Sequence, residues 1–182
     1  MSLIKRWYLC GFMLALVSQA NAAETMQIDS KVSKIEFVGS KEDGKHSGGF
    51  KKVEGSATVD KETPTAGAIS LVIDAKSLWS DDEKLTDHLK NADFFNVREY
   101  PTITFTSTKI VVTGEKSGEI IGNLTMLGVK VETTVPITAE VSDNEIHLHA
   151  KFKIDRTKWG MKYGVGKIKN DVEMDAHLVL TK

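Results

Sequence analysis

Strict alternation of apolar and polar side chains runs through most of the chain, and it leaves few folds open. Ile146, Leu148, Ala150, Phe152 and Ile154 alternate with His147, His149, Lys151 and Lys153. Val172, Met174, Ala176, Leu178 and Leu180 alternate with Glu173, Asp175, His177 and Thr181. Val131, Val135, Ile137, Ala139 and Val141 stand opposite Lys130, Glu132, Thr134 and Glu140. Earlier, Ile35 and Phe37 alternate with Lys34 and Glu36. Val53, Gly55, Ala57 and Val59 share a face, as do Ile69, Leu71 and Ile73, and then Ile103 and Phe105. A period of two marks strands with one dry face and one wet face. Turn residues separate the runs, at Glu42-Asp43-Gly44, Pro64-Thr65-Ala66-Gly67, Thr113-Gly114-Glu115 and Ser142-Asp143-Asn144. About eight such strands must bury one face together, as a sandwich or as a sheet closed into a barrel. The expected fold is all-β, an antiparallel up-and-down barrel of about eight strands enclosing an apolar cavity. A barrel of that size is either filled by its own side chains or holds one small ligand. Gly55, Ala57, Gly122, Ala139, Ala150 and Ala176 lie on or near inward faces and favour room inside, although small residues also relieve crowding in a filled barrel.

The first residues read as an address. Lys5 and Arg6 precede an apolar run from Trp7 to Val17, shorter than the roughly 20 residues of a membrane span. Ala20-Asn21-Ala22 has the small-x-small form of a cleavage site. Residues 1–22 are therefore expected to be a signal peptide and residues 23–182 a single exported domain. Cys10 is the only cysteine and leaves with the signal, so the mature chain has no disulfide, thiol nucleophile or thiolate metal site. No later segment is apolar enough for stable membrane insertion. Lysine and arginine number 24 against 25 acids, with no basic tract, which argues against nucleic acid as a partner.

One helix interrupts the strands. Asp81 or Asp82 can cap its N-terminus, and Leu85, His88 and Leu89 share a face at i, i+3 and i+4. The helix runs into Phe94-Phe95, and Tyr100-Pro101 then launches a strand. Aromatic residues in a connection need a core or cavity to cover, because connections normally present polar residues to water. The helix and the two phenylalanines are expected to close one end of the barrel.

This order of residues resembles the YceI-like family, described as lipid- or polyisoprenoid-binding. The resemblance is carried by Ile28-Asp29-Ser30 with Val32, Ser33, Ile35 and Phe37, by Gly49-Phe50 with Val53-Glu54-Gly55, and by the stretch from Lys84 to Phe105. It continues through Gly122-Asn123-Leu124-Thr125-Met126-Leu127-Gly128-Val129, which looks like one glycine-flanked strand of the family. Ile154-Asp155-Arg156 with Trp159-Gly160, and Asp171-Val172, complete it. Lys158-Trp159 stands before Gly160 where the family usually has Asp-Phe. The resemblance implies a lipocalin-like barrel, secretion to the periplasm, and a long apolar channel for an isoprenoid, quinone-like or other long-chain amphipathic molecule.

The candidate cavity or lid residues are Phe37, Phe50, Leu85, His88, Leu89, Phe94, Phe95, Tyr100, Phe105, Phe152 and Trp159. Apolar cavities hold ligands with aromatic walls and a few polar groups. Lys41, His46 and Arg156 are candidates for a head group; for Arg156 a structural ion pair with an acid is the competing reading. His88 either faces the cavity mouth or packs with Leu85 against backbone. No nucleophile or second acid accompanies it by motif, and neither a Gly-x-Ser-x-Gly elbow nor His-Glu-x-x-His occurs, so no enzyme and no cofactor are expected. His147 and His149 share a strand face, but Lys151 and Lys153 share it too and repel cations, so no metal site is expected. Asn123-Leu124-Thr125 fits a glycosylation sequon but falls inside a strand pattern. The alternative function is an envelope stress or interaction module that binds a protein through an outer sheet face. A homodimer stays open.

Overall fold

The computed structural model describes residues 23–60 and 63–182. The expected signal peptide, residues 1–22, lies outside them. Eleven strands and one α-helix follow in order. They are β1 (Glu24–Ile28), β2 (Lys34–Lys41), β3 (Gly44–Phe50), β4 (Val53–Val59), β5 (Ala68–Asp74) and β6 (Leu78–Ser80). Helix α1 (Glu83–Lys90) precedes β7 (Thr102–Val112), β8 (Ser117–Met126), β9 (Val129–Val141), β10 (Glu145–Asp155) and β11 (Asp171–Thr181).

All pairings between these strands are antiparallel. The ring β1-β4-β5-β7-β8-β9-β10-β11 is closed by pairing of β1 with β11, giving the eight-stranded barrel that the alternation predicts. The other three strands extend three of these tracks. β1 lies along the end of β11 at Ile28↔Leu180, and β2 continues along the same edge from Lys34↔His177 to Val38↔Glu173. Between them the chain steps through a turn in which Ser33 N–H donates to the Asp29 carbonyl. The buried Ser33 hydroxyl accepts from Val179 N–H at 3.0 Å, which fixes the step against β11. In the same way β3 pairs with β2 while β4 pairs with β1, and β6 pairs with β3 while β5 pairs with β4.

The barrel half built on β1, β4, β5 and β7 is dry and filled. Met26, Val53, Leu78 and Leu180 are the most completely buried large side chains. Gly122, one of the small residues expected to leave room, does not do so. A Cβ there would stand 2.6 Å from the Phe105 ring, so the missing side chain makes space for an aromatic. Gly48 serves Phe37 likewise, at 2.5 Å. Interiors at crystal-like density leave little such space empty.

The segment read as one strand from Gly122 to Val129 is a hairpin. Leu127 and Gly128 both have positive φ, 52° and 73°, the form of a two-residue turn whose twist matches its strands. Met126 and Val129 pair across it. The β8 half escaped the alternation pattern because glycines hold two of its inward positions, Gly118 and Gly122.

One seam is open. The β9–β10 ladder stops at Thr138↔His149. Ala139 N–H donates toward β8, to Lys116 O, so by alternation the backbone N of residue 136 faces β10. That residue is Pro136, which has no N–H to give. Beyond the seam, the 3-10 turn Arg156–Trp159 packs beside β9. The Trp159 indole N–H donates to Leu124 O at 3.0 Å, tying that turn to the sheet two strands away.

Candidate functional site

Helix α1 covers one end of the barrel. Asp82 caps it by accepting Leu85 N–H at 2.7 Å. The Thr86 hydroxyl accepts Ser80 N–H at 2.8 Å and so ties the helix to β6. The segment after it folds back tightly: Phe95 N–H donates to Leu89 O, Val97 N–H to Lys90 O, and Asn96 adopts φ 42°. This compact return drives Phe94 and Phe95 inward. Phe37, Phe50 and Phe95 form a cluster with ring centroids 5.6 to 6.5 Å apart, Phe50 and Phe95 edge to face.

Between this cluster and the helix lies a cavity of about 290 Å³. Of the residues singled out by sequence, Phe37, Phe50, Leu85, Leu89, Phe94 and Phe95 line it, and so do Lys41, His46 and Arg156. The remaining wall comes from Met126, Ile154, Met161, Ile168, Val172 and Met174, with Gly39, Ser40 and Lys169 from β2 and the loop after Gly160. Sequence reasoning passed over these. Ile154, Val172 and Met174 belong to alternating strands, and only knowledge of which strand ends meet the helix would select them. Met161, Ile168 and Lys169 lie in a loop with no periodic signal.

Five candidates lie elsewhere. His88 faces away from the cavity, with Nε2 2.9 Å from Asp93 Oδ2 and its ring edge-on to Phe94 and Tyr163. Tyr100 lies over the β8–β9 turn, where a Cβ on Gly128 would meet its ring at 3.1 Å. Phe105 is core, in the space that Gly122 leaves. Trp159 is buried by its bond to β8 rather than by the cavity. Phe152 borders a hollow of about 600 Å³ that also meets Trp79 and Val38. That hollow is the larger of the two, but Glu36, Lys151, Lys153, Glu173 and Asp175 rim it, so it is wet and suits an apolar ligand less. Ala139 and Ala150 do not line the main cavity either.

Arg156 is 4% exposed, and no carboxylate lies within ion-pair distance of it among the described residues. The expected ion pair with an acid is replaced by three backbone carbonyls. Nε donates to Lys169 O at 3.1 Å, Nη1 to Met161 O at 2.7 Å and Nη2 to Ile168 O at 3.3 Å. Desolvation pulls the guanidinium below its ordinary pKa, partly countered by Asp155 next to it in sequence. The Asp155 carboxylate is held low by the Thr157 hydroxyl and N–H, which it accepts at 2.6 and 2.9 Å. At the rim, His46 Nδ1 lies 2.9 Å from Asp81 Oδ1. Asp81 also accepts Ser47 N–H at 2.8 Å, and that bond, then His46, depresses its pKa.

On the outer face, His149 and His177 are directly paired across β10–β11, and the His147 ring lies 5.6 Å from that of His177. His149 Nε2 is 2.8 Å from Asp175 and Lys151 Nζ is 3.3 Å from it. Among the described residues no group of three or more His, Cys, Asp or Glu side chains is placed to hold a metal ion.

These features define a class: a small antiparallel barrel, filled at one half, with an apolar cavity under a helical cap at the other. The chain belongs to the YceI-like domain family, whose profile matches residues 26–180. It is 39% identical over 97 residues to a UPF0312 protein of Pseudomonas putida strain GB-1, covering 53% of this chain and 48% of that protein. It is 37% identical over 93 residues to protein YceI of Salmonella arizonae, covering 51% and 46%. The matches thus span about half the length of these curated relatives. Among solved structures, Burkholderia cenocepacia BcnA superposes with a TM-score of 0.78 at 25% identity, covering 84% of this chain and 98% of that one. A polyisoprenoid binding domain from Saccharophagus degradans superposes at 0.68 with 18% identity, covering 86% and 97%, a likeness of fold.

Proposed function

We propose that this protein is a non-catalytic carrier that sequesters the apolar tail of an amphipathic lipid, isoprenoid-like in class, inside the barrel end. The observation that carries this reading is the cavity itself, with three phenylalanine rings in mutual contact on its wall and the helix across it. Moving a tail from water into such a space is favourable by roughly 25 cal/mol per Å² of apolar surface buried. The neighbour from Saccharophagus degradans is described as polyisoprenoid binding, which supports the same class of cargo here. Carriage of this kind suits a protein that works between membranes. The signal-like residues 1–22 would export it, and the periplasm is the compartment of this reading. Among the described residues no helix is long and apolar enough to cross a membrane.

Native mass spectrometry of the protein purified from a bacterial periplasm, followed by organic extraction, tests the reading. A stoichiometric amphipathic molecule that leaves on extraction is the expected result. A bare protein mass that takes up neither added quinones nor prenyl lipids would move the function to protein–protein contact on the outer faces.

A further inference from the structure

The connection from β10 to β11 carries charge of one sign. Residues 156–170 hold Arg156, Lys158, Lys162, Lys167 and Lys169 and no aspartate or glutamate, in a chain whose bases and acids number 24 and 25. The sequence shows no basic tract because these bases are interleaved with glycines and apolar side chains. The fold gives the loop a fixed inner and outer side. Arg156 is spent inside, where its bonds to the carbonyls of Met161, Ile168 and Lys169 fasten the loop from beneath. Ile168 lines the cavity and lies under Gly164, where a Cβ would stand 2.7 Å from its Cδ1. Gly164 also has φ 62°, a conformation that suits glycine. Lys169 N–H donates to Ser40 O at 2.8 Å and ties the end of the loop to β2.

The outer side is apolar as well as basic. Tyr163 and Val165 are 47% and 54% exposed, and Lys162, Lys167 and Lys169 are exposed around them. Among the described residues none of these three lysines has a carboxylate within ion-pair distance. The Tyr163 ring meets those of His88 and Phe94, with centroids 4.8 and 5.3 Å away, so loop and helical cap form one surface. The elements beside the loop are near balance in charge. The β2–β3 turn has Lys41 and Lys45 against Glu42 and Asp43, and residues 83–99 have Lys84, Lys90 and Arg98 against Glu83, Asp87, Asp93 and Glu99. The positive surplus at this end of the barrel therefore belongs to the loop.

Exposed apolar side chains among unpaired lysines suit an anionic lipid surface, because the apolar groups enter the headgroup layer while the lysines meet its charge. Tyrosine in particular settles at the membrane–water interface, where its ring is dry and its hydroxyl wet.

We propose that the loop from Gly160 to Lys169 docks the capped end of the barrel on an anionic bilayer. The contact is peripheral, with Tyr163 and Val165 in the headgroup layer and Lys162, Lys167 and Lys169 against lipid phosphates. The proposal goes beyond the carrier reading and makes no claim about the cargo; it turns the helical cap toward the membrane.

The test is flotation of the protein, purified from a bacterial periplasm, with vesicles of phosphatidylcholine alone or of equal parts phosphatidylcholine and phosphatidylglycerol. At low salt the protein should partition at least about tenfold more strongly to the anionic vesicles. Raising salt to about 1 M, where the Debye length is about 3 Å, should release most of it. Lys162→Gln with Lys167→Gln should weaken partitioning about ten- to thirtyfold, at about fivefold per lysine. Val165→Asp should weaken it at least about tenfold, by placing an acid among the lysines. Lys109→Gln with Lys116→Gln, at the other end of the barrel, should stay within about twofold of the parent because those lysines lie beyond a Debye length of the surface. Equal binding to both vesicle types, or a loss in the loop variants no greater than in this control, would overturn the proposal. Absence of binding to either vesicle at low salt would overturn it too and leave the carrier reading standing, since no cargo takes part.

Discussion

At the scale of single residues, packing rather than propensity decides what is tolerated. Gly122 stands where any Cβ would lie 2.6 Å from both the Phe105 ring and the Thr106 carbonyl oxygen. The ring can shift but the backbone oxygen cannot do so cheaply. Gly122→Ala should therefore destabilise the barrel by about 1–3 kcal/mol in urea unfolding, and adding Phe105→Leu should recover only part of the loss. A neutral Gly122→Ala would show that the barrel wall yields. Asp81 offers a pH signature. Its carboxyl is depressed in the folded state, first by Ser47 N–H and then by His46, below an ordinary value of 3.8. A depressed acid contributes stability that is fully present above its unfolded pKa and lost as pH falls through the folded one. The urea midpoints of the protein and its Asp81→Asn variant should thus differ by a constant amount near neutrality. They should converge only below about pH 4, as the unfolded carboxyl begins to take up its proton. A gap that persisted to pH 2.5 would mean that the charge is not what Asp81 contributes.

At the scale of elements, the alternating strands were legible because their inward positions carry large apolar side chains. Ile146 to Ile154 and Val172 to Leu180 read directly as β10 and β11. β8 did not, since glycines stand where the pattern needs bulk, and the turn at Leu127-Gly128 was hidden inside a fragment that looked continuous. The helix was readable from the spacing of Leu85, His88 and Leu89, but its cap only as Asp81 or Asp82, of which Asp82 caps it, and His88 turns out to pair with Asp93. The cavity was readable only in part, because Met161, Ile168 and Lys169 arrive through a loop whose course is set by Arg156, a long-range effect with no periodic trace. Pro136 is a case in which one residue type ends a ladder. Extending the register places residue 136 opposite Lys151, so Pro136→Val would restore a donor to the β10 side. Hydrogen exchange should then show a protected amide at position 136 and a raised melting temperature. An amide at 136 that exchanges as fast as a loop would mean that the turn around Trp159, not the missing N–H, holds the seam open.

At the scale of the whole molecule, the two ends of the barrel have opposite tasks. The half around Met26, Val53, Ala57, Ile69 and Leu180 is dry and closed by the β1–β11 pairing, and stability concentrates there. The other half gives up packing for a cavity, and its cover is an eight-residue helix with one buried side chain, Leu89. Isolated helices this short are not stable, so α1 depends on what lies beneath it. Local opening should therefore start at α1 and residues 91–100, at a free energy well below that of global unfolding. A ligand seated under the helix binds only the closed form, and at a concentration of about 100 times its dissociation constant it would stabilise that form by about 2.7 kcal/mol. Added ligand should thus slow hydrogen exchange in α1, in the Phe94-Phe95 segment and at the β2 end near Ser40. The amides of β4, β5 and β7 are expected to exchange through global unfolding and to slow by the same factor, because unfolding also releases the ligand. Slowing in β4, β5 and β7 without slowing in α1 would mean that the cap opens while the ligand stays bound, and the open β9–β10 seam would then be the route to examine.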